Sequence, residues 1–236
     1  MPREESQRIV LVTGASRGIG RAAAIALGRT AAHVICVART VGGLEETDDE
    51  IGKAGGSATL VPLDLKDFDA IDRLGASIYE RWGKLDGFLG NAGALGALTP
   101  LSQLKAKAWQ TAVDINVTAN WRLVRSLDPL LRKSDAARVV FVSSGAARKF
   151  RPYWGAYSIT KAALEALALT YAAECTDTNI RVNLLNPGPM RTQMRALAFP
   201  GEDPMSLPPP EDIAPLIVEM LSAGYTKNGE LVSFRR

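Results

Sequence analysis

Ile9-Val10-Leu11-Val12-Thr13-Gly14-Ala15-Ser16-Arg17-Gly18-Ile19-Gly20 is the stretch whose reading decides the fold. Four consecutive apolar residues predict a short buried strand, and three glycines spaced G-x-x-x-G-x-G follow at once. An alanine-rich run from Arg21 to about Arg29 then reads as a helix. Glycines let the backbone turn sharply and come close to a phosphate, which then sits on the partial positive charge of the helix N-terminus. Strand, glycine turn and helix in that order open a βαβ unit.

The alternation continues outward. His33–Val37 is a second strand, followed by a polar helix through Leu44 to Lys53 that Gly55-Gly56 closes. Ala58–Leu63 is a third strand, Phe68 to Trp82 a helix, and Leu85–Gly90 a fourth strand. A long helical stretch from Ser102 to Asp114 leads into Ile115-Asn116-Val117, and the next helix carries Val117, Trp121, Val124 and Leu131 on one stripe. Val139–Val142, Ile180–Leu185 and Gly229–Phe234 complete seven strands, with a helix opening near Trp154 and another near Glu211 to Ala223. Such alternation predicts an α/β fold: a doubly wound, parallel seven-stranded sheet of order 3-2-1-4-5-6-7, with helices on both faces. No repeat or linker divides residues 1–236, so one domain is expected.

Bulk properties narrow the function. The chain has 236 residues and is 47% hydrophobic, enough for one sizeable core. A net charge of +3 without a basic run gives no reason to expect nucleic acid. Cys36 and Cys175 lie in apolar segments and read as buried thiols. Met1 to Arg8 is polar, and no apolar segment reaches membrane length, so a cytoplasmic protein without a membrane partner is expected. His33 is the single histidine, which argues against a metal site.

A second constellation carries chemistry. In Trp154-Gly155-Ala156-Tyr157-Ser158-Ile159-Thr160-Lys161, Tyr157 and Lys161 stand four apart and share a helix face, roughly 6 Å between Cβ atoms. An ammonium beside a phenol favours the phenolate, making the tyrosine a usable acid or base near neutral pH. Ser144 lies thirteen positions upstream, at the carboxyl end of the fifth strand, where open parallel sheets bind ligands. Its hydroxyl can donate to a carbonyl oxygen to which the tyrosine delivers a proton. Gly14-Ala15-Ser16-Arg17-Gly18 also satisfies the G-x-S-x-G of hydrolases, but the needed histidine exists only as His33, with no intervening strand for an acid. Ser16 is better read as a loop hydroxyl near phosphate.

Together these motifs resemble the short-chain dehydrogenase/reductase family, over almost the whole chain. Thr13-Gly14-Ala15-Ser16-Arg17-Gly18-Ile19-Gly20 is similar to its T-G-x-x-x-G-x-G, and Asn91-Ala92-Gly93 to its N-A-G. The resemblance implies a Rossmann-like fold and a catalytic set Asn116, Ser144, Tyr157 and Lys161. Asn116, 41 positions before Tyr157, would hold through its backbone a water linking the lysine to solvent. Cofactor contacts would come from Gly14, Ser16, Arg17, Gly18, Ile19, Gly20, Arg39, Asn91, Ala92, Gly93, Tyr157 and Lys161. Asp64 would meet the adenine and Leu65 line its pocket, although Asp64 reads equally as a helix N-terminal aspartate. Pro187, Gly188, Met190 and Thr192 would form the P-G-x-x-x-T loop beside the nicotinamide, with the Thr192 hydroxyl near its carboxamide. Gly90 stands where many members have asparagine, and the chain stops at Arg235-Arg236 where the family often has a longer tail.

The function implied is a hydride transfer between a nicotinamide cofactor and a small carbonyl or secondary alcohol substrate. Arg17 and Arg39, with Ala38 where an acid would hold a 2′-hydroxyl, imply NADP (NADPH) over NAD. Acyl-carrier thioesters and small ketones both stay open. The alternative class is a regulatory protein that senses NADP(H) without turnover. Residues 189–210 read as an irregular, proline-rich lid over the substrate. Within it, Met194 to Pro204 resembles a branch of bacterial short-chain reductases. The helix from Ala162 to Leu169 is apolar nearly all round, which implies a homodimer or homotetramer.

Overall fold

The computed structural model describes residues 7–235; Met1–Ser6 of the polar N-terminus and the final Arg236 lie outside them. The elements are β1 (Ile9–Thr13), α1 (Gly18–Gly28), β2 (His33–Ala38), α2 (Val41–Lys53), β3 (Ser57–Pro62), α3 (Phe68–Trp82) and β4 (Gly87–Gly90). They continue with α4 (Ala106–Val113), α5 (Ala119–Leu131), β5 (Arg138–Val142), α6 (Gly155–Glu174), β6 (Arg181–Asn186), α7 (Gln193–Ala198), α8 (Ala214–Leu221) and β7 (Leu231–Ser233). All seven strands pair in parallel, in the order β3-β2-β1-β4-β5-β6-β7. That is the expected Rossmann-like sheet.

The period-2 geometry of a strand divides the core into two. Leu11, Ile35, Phe88, Val139, Phe141 and Leu184 face α3, α5 and α6. Val10, Val12, Val34, Cys36, Val140 and Leu185 face α1, α2 and α8 on the other side. Both cysteines are buried and unpaired, and burial pushes the Cys36 thiol up to about 12. The departure at Gly90 has a packing reason: a Cβ there would stand 2.5 Å from the Phe141 ring, which packs edge-on to Phe88. Among the described residues, no helix is long and apolar enough to cross a membrane.

Three local expectations are corrected. The stretch from Ser102 to Asp114 is not one helix: a 3₁₀ turn at Leu101–Gln103 precedes α4, which begins at Ala106. The stripe through Val117 and Trp121 does not face the core either. A π-helical turn at Asp114–Thr118 joins α4 to α5, and its wider turn offsets the helix face counted from Val117. Leu123, Leu127 and Leu130 are buried, with Leu131 and the partly buried Val124 kept from the expected stripe, while Trp121 is half exposed beside the guanidinium groups of Arg122 and Arg125. Finally, residues 189–210 are not irregular. They contain α7, whose Thr192 N-cap hydroxyl accepts from Arg195 N at 3.2 Å, and a 3₁₀ turn at Pro204–Ser206. A six-residue helix is too short to show a period.

Candidate active site

The carboxyl ends of the strands open into one cavity of about 750 Å³. The loop after β1 lines it with Gly14, Ser16, Arg17, Gly18 and Ile19, and the loops after β2 and β3 add Arg39, Asp64 and Leu65. Asn91, Ala92 and Gly93 enter after β4, Ser144 after β5, and Tyr157 and Lys161 from α6. Pro187, Gly188, Met190 and Thr192 close the side after β6. Two expected residues, Gly20 and Asn116, stand behind this wall rather than on it.

The glycine end is shaped by backbone. Gly14 and Gly18 have φ of +69° and +57°, the left-handed region that favours glycine. A Cβ on Gly14 would sit 2.8 Å from Asn91 Nδ2, and one on Gly20 would run into the Gly14 carbonyl. Gly20 thus lets α1 pack beneath the loop. Asn91 Nδ2 donates to Thr13 O at 2.9 Å, and the Thr13 hydroxyl accepts from the backbone N–H of Asn91 and of Ala92. From below, the Thr47 hydroxyl of α2 donates to Ala15 O at 3.0 Å. The result is a rigid cradle of exposed backbone at the start of α1, the shape a dinucleotide phosphate requires. Arg17 and Arg39 are exposed at its mouth; Arg39 stands 3.9 Å from Asp64, an exposed pairing of little strength. The N-cap of α3 is Asp67, so Asp64 is not the helix-capping aspartate.

At the other end Tyr157 and Lys161 are both buried. Burial pushes the Tyr157 phenol up, and a hydrogen bond with the Ser144 hydroxyl partly offsets it. The expected lowering by the neighbouring ammonium is therefore corrected: desolvation wins, and Tyr157 keeps its proton at neutral pH. The Lys161 ammonium donates to Val142 O at 2.8 Å and stands 5.8 Å from the Tyr157 ring centroid. Burial lowers its pKa to about 8, against the pull of Glu165.

Asn116 acts through its side chain in this arrangement. Its Oδ1 accepts from Ala94 N at 2.8 Å, and its Nδ2 donates to Ala94 O and to the Thr160 hydroxyl, both at 2.9 Å. It brackets the cavity wall to α6 one residue before Lys161. Its own carbonyl accepts from Asn120 Nδ2 at 3.0 Å. The π-helical turn is where this fully buried asparagine sits.

Residues 8–203 match the short chain dehydrogenase family. The chain belongs to it. The oxidoreductase YciK of Escherichia coli K12 is 40% identical over 219 residues, which cover 92% of this chain and 86% of that protein. A short chain dehydrogenase from Shigella flexneri 2a, solved with NADP, superposes with a TM-score of 0.91 at 40% identity, covering 96% of each chain. Another from Escherichia coli CFT073, solved with NADPH, gives 0.90 at 40% identity, covering 96% of this chain and 95% of that one.

In this short-chain dehydrogenase, several residues of the site escape motif reading. Glu165, one turn beyond Lys161, is buried within a helix read as apolar all round. Its carboxylate accepts from the Ser143 hydroxyl at 2.6 Å and from Arg148 Nε at 3.0 Å. A lone acid four places after the lysine was the signal. Trp154 packs 6.0 Å from Tyr157 and 5.6 Å from Phe199, between centroids. The Arg195 guanidinium lies 3.7 Å over the Phe199 ring and forms a two-pronged pair with Glu202 at 2.6 Å. Segment 189–210 is thereby fastened to the tyrosine helix through stacked side chains. His33 is far from such chemistry; it bonds Ser57 and Thr59 and leans on Trp82 at the start of β2.

Proposed function

We propose that the protein is an NADP(H)-dependent oxidoreductase acting on a carbonyl or secondary alcohol. The observation that carries this is the protonated Tyr157, hydrogen-bonded to Ser144, in the same cavity as the glycine cradle with Arg17 and Arg39 at its mouth. The cradle fits the pyrophosphate, and the two arginines fit a 2′-phosphate through charge-assisted hydrogen bonds. Lys161 would hold the ribose hydroxyls, and Pro187 to Thr192 would lie beside the nicotinamide. When bound, the cofactor supplies hydride to the carbonyl carbon, or accepts it in the reverse direction.

The protein supplies position and a proton. Ser144 donates to the carbonyl oxygen and holds it at Tyr157. Tyr157 gives its proton to that oxygen as the carbon is reduced, and the Lys161 ammonium stabilises the phenolate left behind. Asn116 holds the wall and α6 together, keeping Lys161 in place. The test is NADPH consumption with a panel of ketones and aldehydes, alongside NADPH titration. Binding without turnover on any of them would favour a cofactor sensor.

The half-exposed Trp121 on α5, with Ile159 and Leu169 on α6, supports assembly into a dimer or tetramer through these helices. Leu169→Glu should then shift sedimentation toward the 25.3 kDa monomer.

A further inference from the structure

The walls of the cavity differ in charge. Among the described residues, Asp64 is the one carboxylate that lines it, beside Arg39 at the glycine end. The end near Tyr157 is lined by Lys149, Arg151, Arg191 and Arg195 and by no acid. Two of these cations are occupied. Arg195 is held by Glu202 and Phe199, and Arg191 Nη1 lies 2.9 Å from the Met205 sulfur. Asp203, the other acid nearby, caps its own 3₁₀ turn. Lys149 and Arg151 have no carboxylate within 4 Å among the described residues.

Their loop is held in shape. Lys149 N donates to Gly145 O, Arg151 N to Lys149 O and Trp154 N to Arg151 O, while Thr99 N donates to Tyr153 O from the facing segment. Tyr153 has φ of +72°, a conformation an aromatic residue rarely adopts. Two large apolar side chains of these segments stand bare. Phe150 lies between Lys149 and Arg151 and is 81% exposed; Leu197 lines the cavity and is 69% exposed. Trp154 and Phe199 stack to one side.

We propose that the substrate is an anionic carbonyl compound. It has an apolar, preferably aromatic, body against Trp154 and Leu197, and a carboxylate or phosphate held by Lys149 and Arg151. This rests on the oxidoreductase reading above and names its substrate class. Two unpaired cations at the edge of an apolar cavity attract an amphiphilic anion and give a neutral analogue nothing in return. Because both line the cavity itself, the anion belongs to the molecule inside it and not to a protein docked outside.

The probes are benzoylpropionate, its methyl ester and phenacyl phosphate, titrated calorimetrically against the protein saturated with NADP⁺, which cannot reduce them. At least one anionic probe should bind about tenfold or more tightly than the ester, the effect of one charge-assisted hydrogen bond. Whichever of the two binds better assigns carboxylate or phosphate. Lys149→Gln/Arg151→Gln should erase that preference and leave NADPH affinity unchanged, and added salt should weaken it in the parent. Equal binding of acid and ester, a preference that survives in the double variant, or no binding of any probe overturns the assignment. So does binding only of an acyl chain presented on an acidic carrier protein. If an anionic probe binds with the expected preference but neither it nor any ketone or aldehyde of the panel consumes NADPH, the oxidoreductase reading fails and the anion site stands.

Discussion

The two ends of the cavity are built from different material. At the glycine end the surface is backbone: Gly14 and Gly18 turn, Gly20 admits the helix, and Asn91 and Thr47 fasten the loop from either side. At the tyrosine end the surface is side chains: Trp154 and Arg195 line it, and Phe199 and Glu202 hold them from outside through stacking and an ion pair. A backbone cradle tolerates few residue types at each position, since an added Cβ collides with fixed atoms. A side-chain wall can be made in many ways. The first kind suits a ligand common to many proteins, and the second suits a substrate particular to one.

If the division holds, substitutions at the two ends should separate chemistry from cofactor binding. Tyr157→Phe should have the largest effect, lowering turnover by ~10²–10⁴ while NADPH affinity, read by fluorescence titration, stays as in the parent. Wild-type turnover in this variant would remove the proton-donor assignment. At the opposite end, Arg39→Asp should lower the NADPH-to-NADH preference by about 10- to 100-fold, with the rate at saturating cofactor little changed. An unchanged ratio would mean that Arg39 serves only Asp64.

The pH dependence sharpens the comparison next. Lys161 is charged below about pH 8 and neutral above it. Carbonyl reduction should therefore fall above that pH, approaching about tenfold per unit, as the charge that steadies the Tyr157 phenolate is lost. Cofactor binding should change less across the same range, because Lys161 is only one of its contacts beside the glycine loop, Arg17 and Arg39. Steady-state kcat/KM and Kd profiles measured side by side would show it. The smallest effect is expected from Trp154→Ala. It removes two aromatic pairs, with Tyr157 and Phe199, each about 0.5–1.5 kcal/mol, of which the part felt by the substrate should raise KM a few-fold and leave NADPH binding alone. A changed NADPH affinity would mean that the two ends are coupled through α6.

What the chain determined by itself follows the same line. The βαβ alternation, the strand order, the glycine loop and the Ser144, Tyr157 and Lys161 constellation are local patterns, because strand period, turn and helix spacing act over a few neighbours. Tertiary structure decided the rest. Whether the Tyr157 phenol is raised or lowered depends on how much water burial removes, which no spacing reports, and there burial outweighs the hydrogen bond with Ser144. Asn116 reaches Ala94 and Thr160 because a π-helical turn swings it inward, and the same turn moved the buried stripe of α5 off Trp121. Glu165 is a polar interruption in sequence and a partner of Ser143 and Arg148 only in three dimensions. The segment from Pro189 to Pro210 looked shapeless because its order comes from Arg195, Glu202, Phe199 and the distant Trp154. Contacts between residues far apart in the chain leave no period behind, and those contacts make up the wall that would choose the substrate.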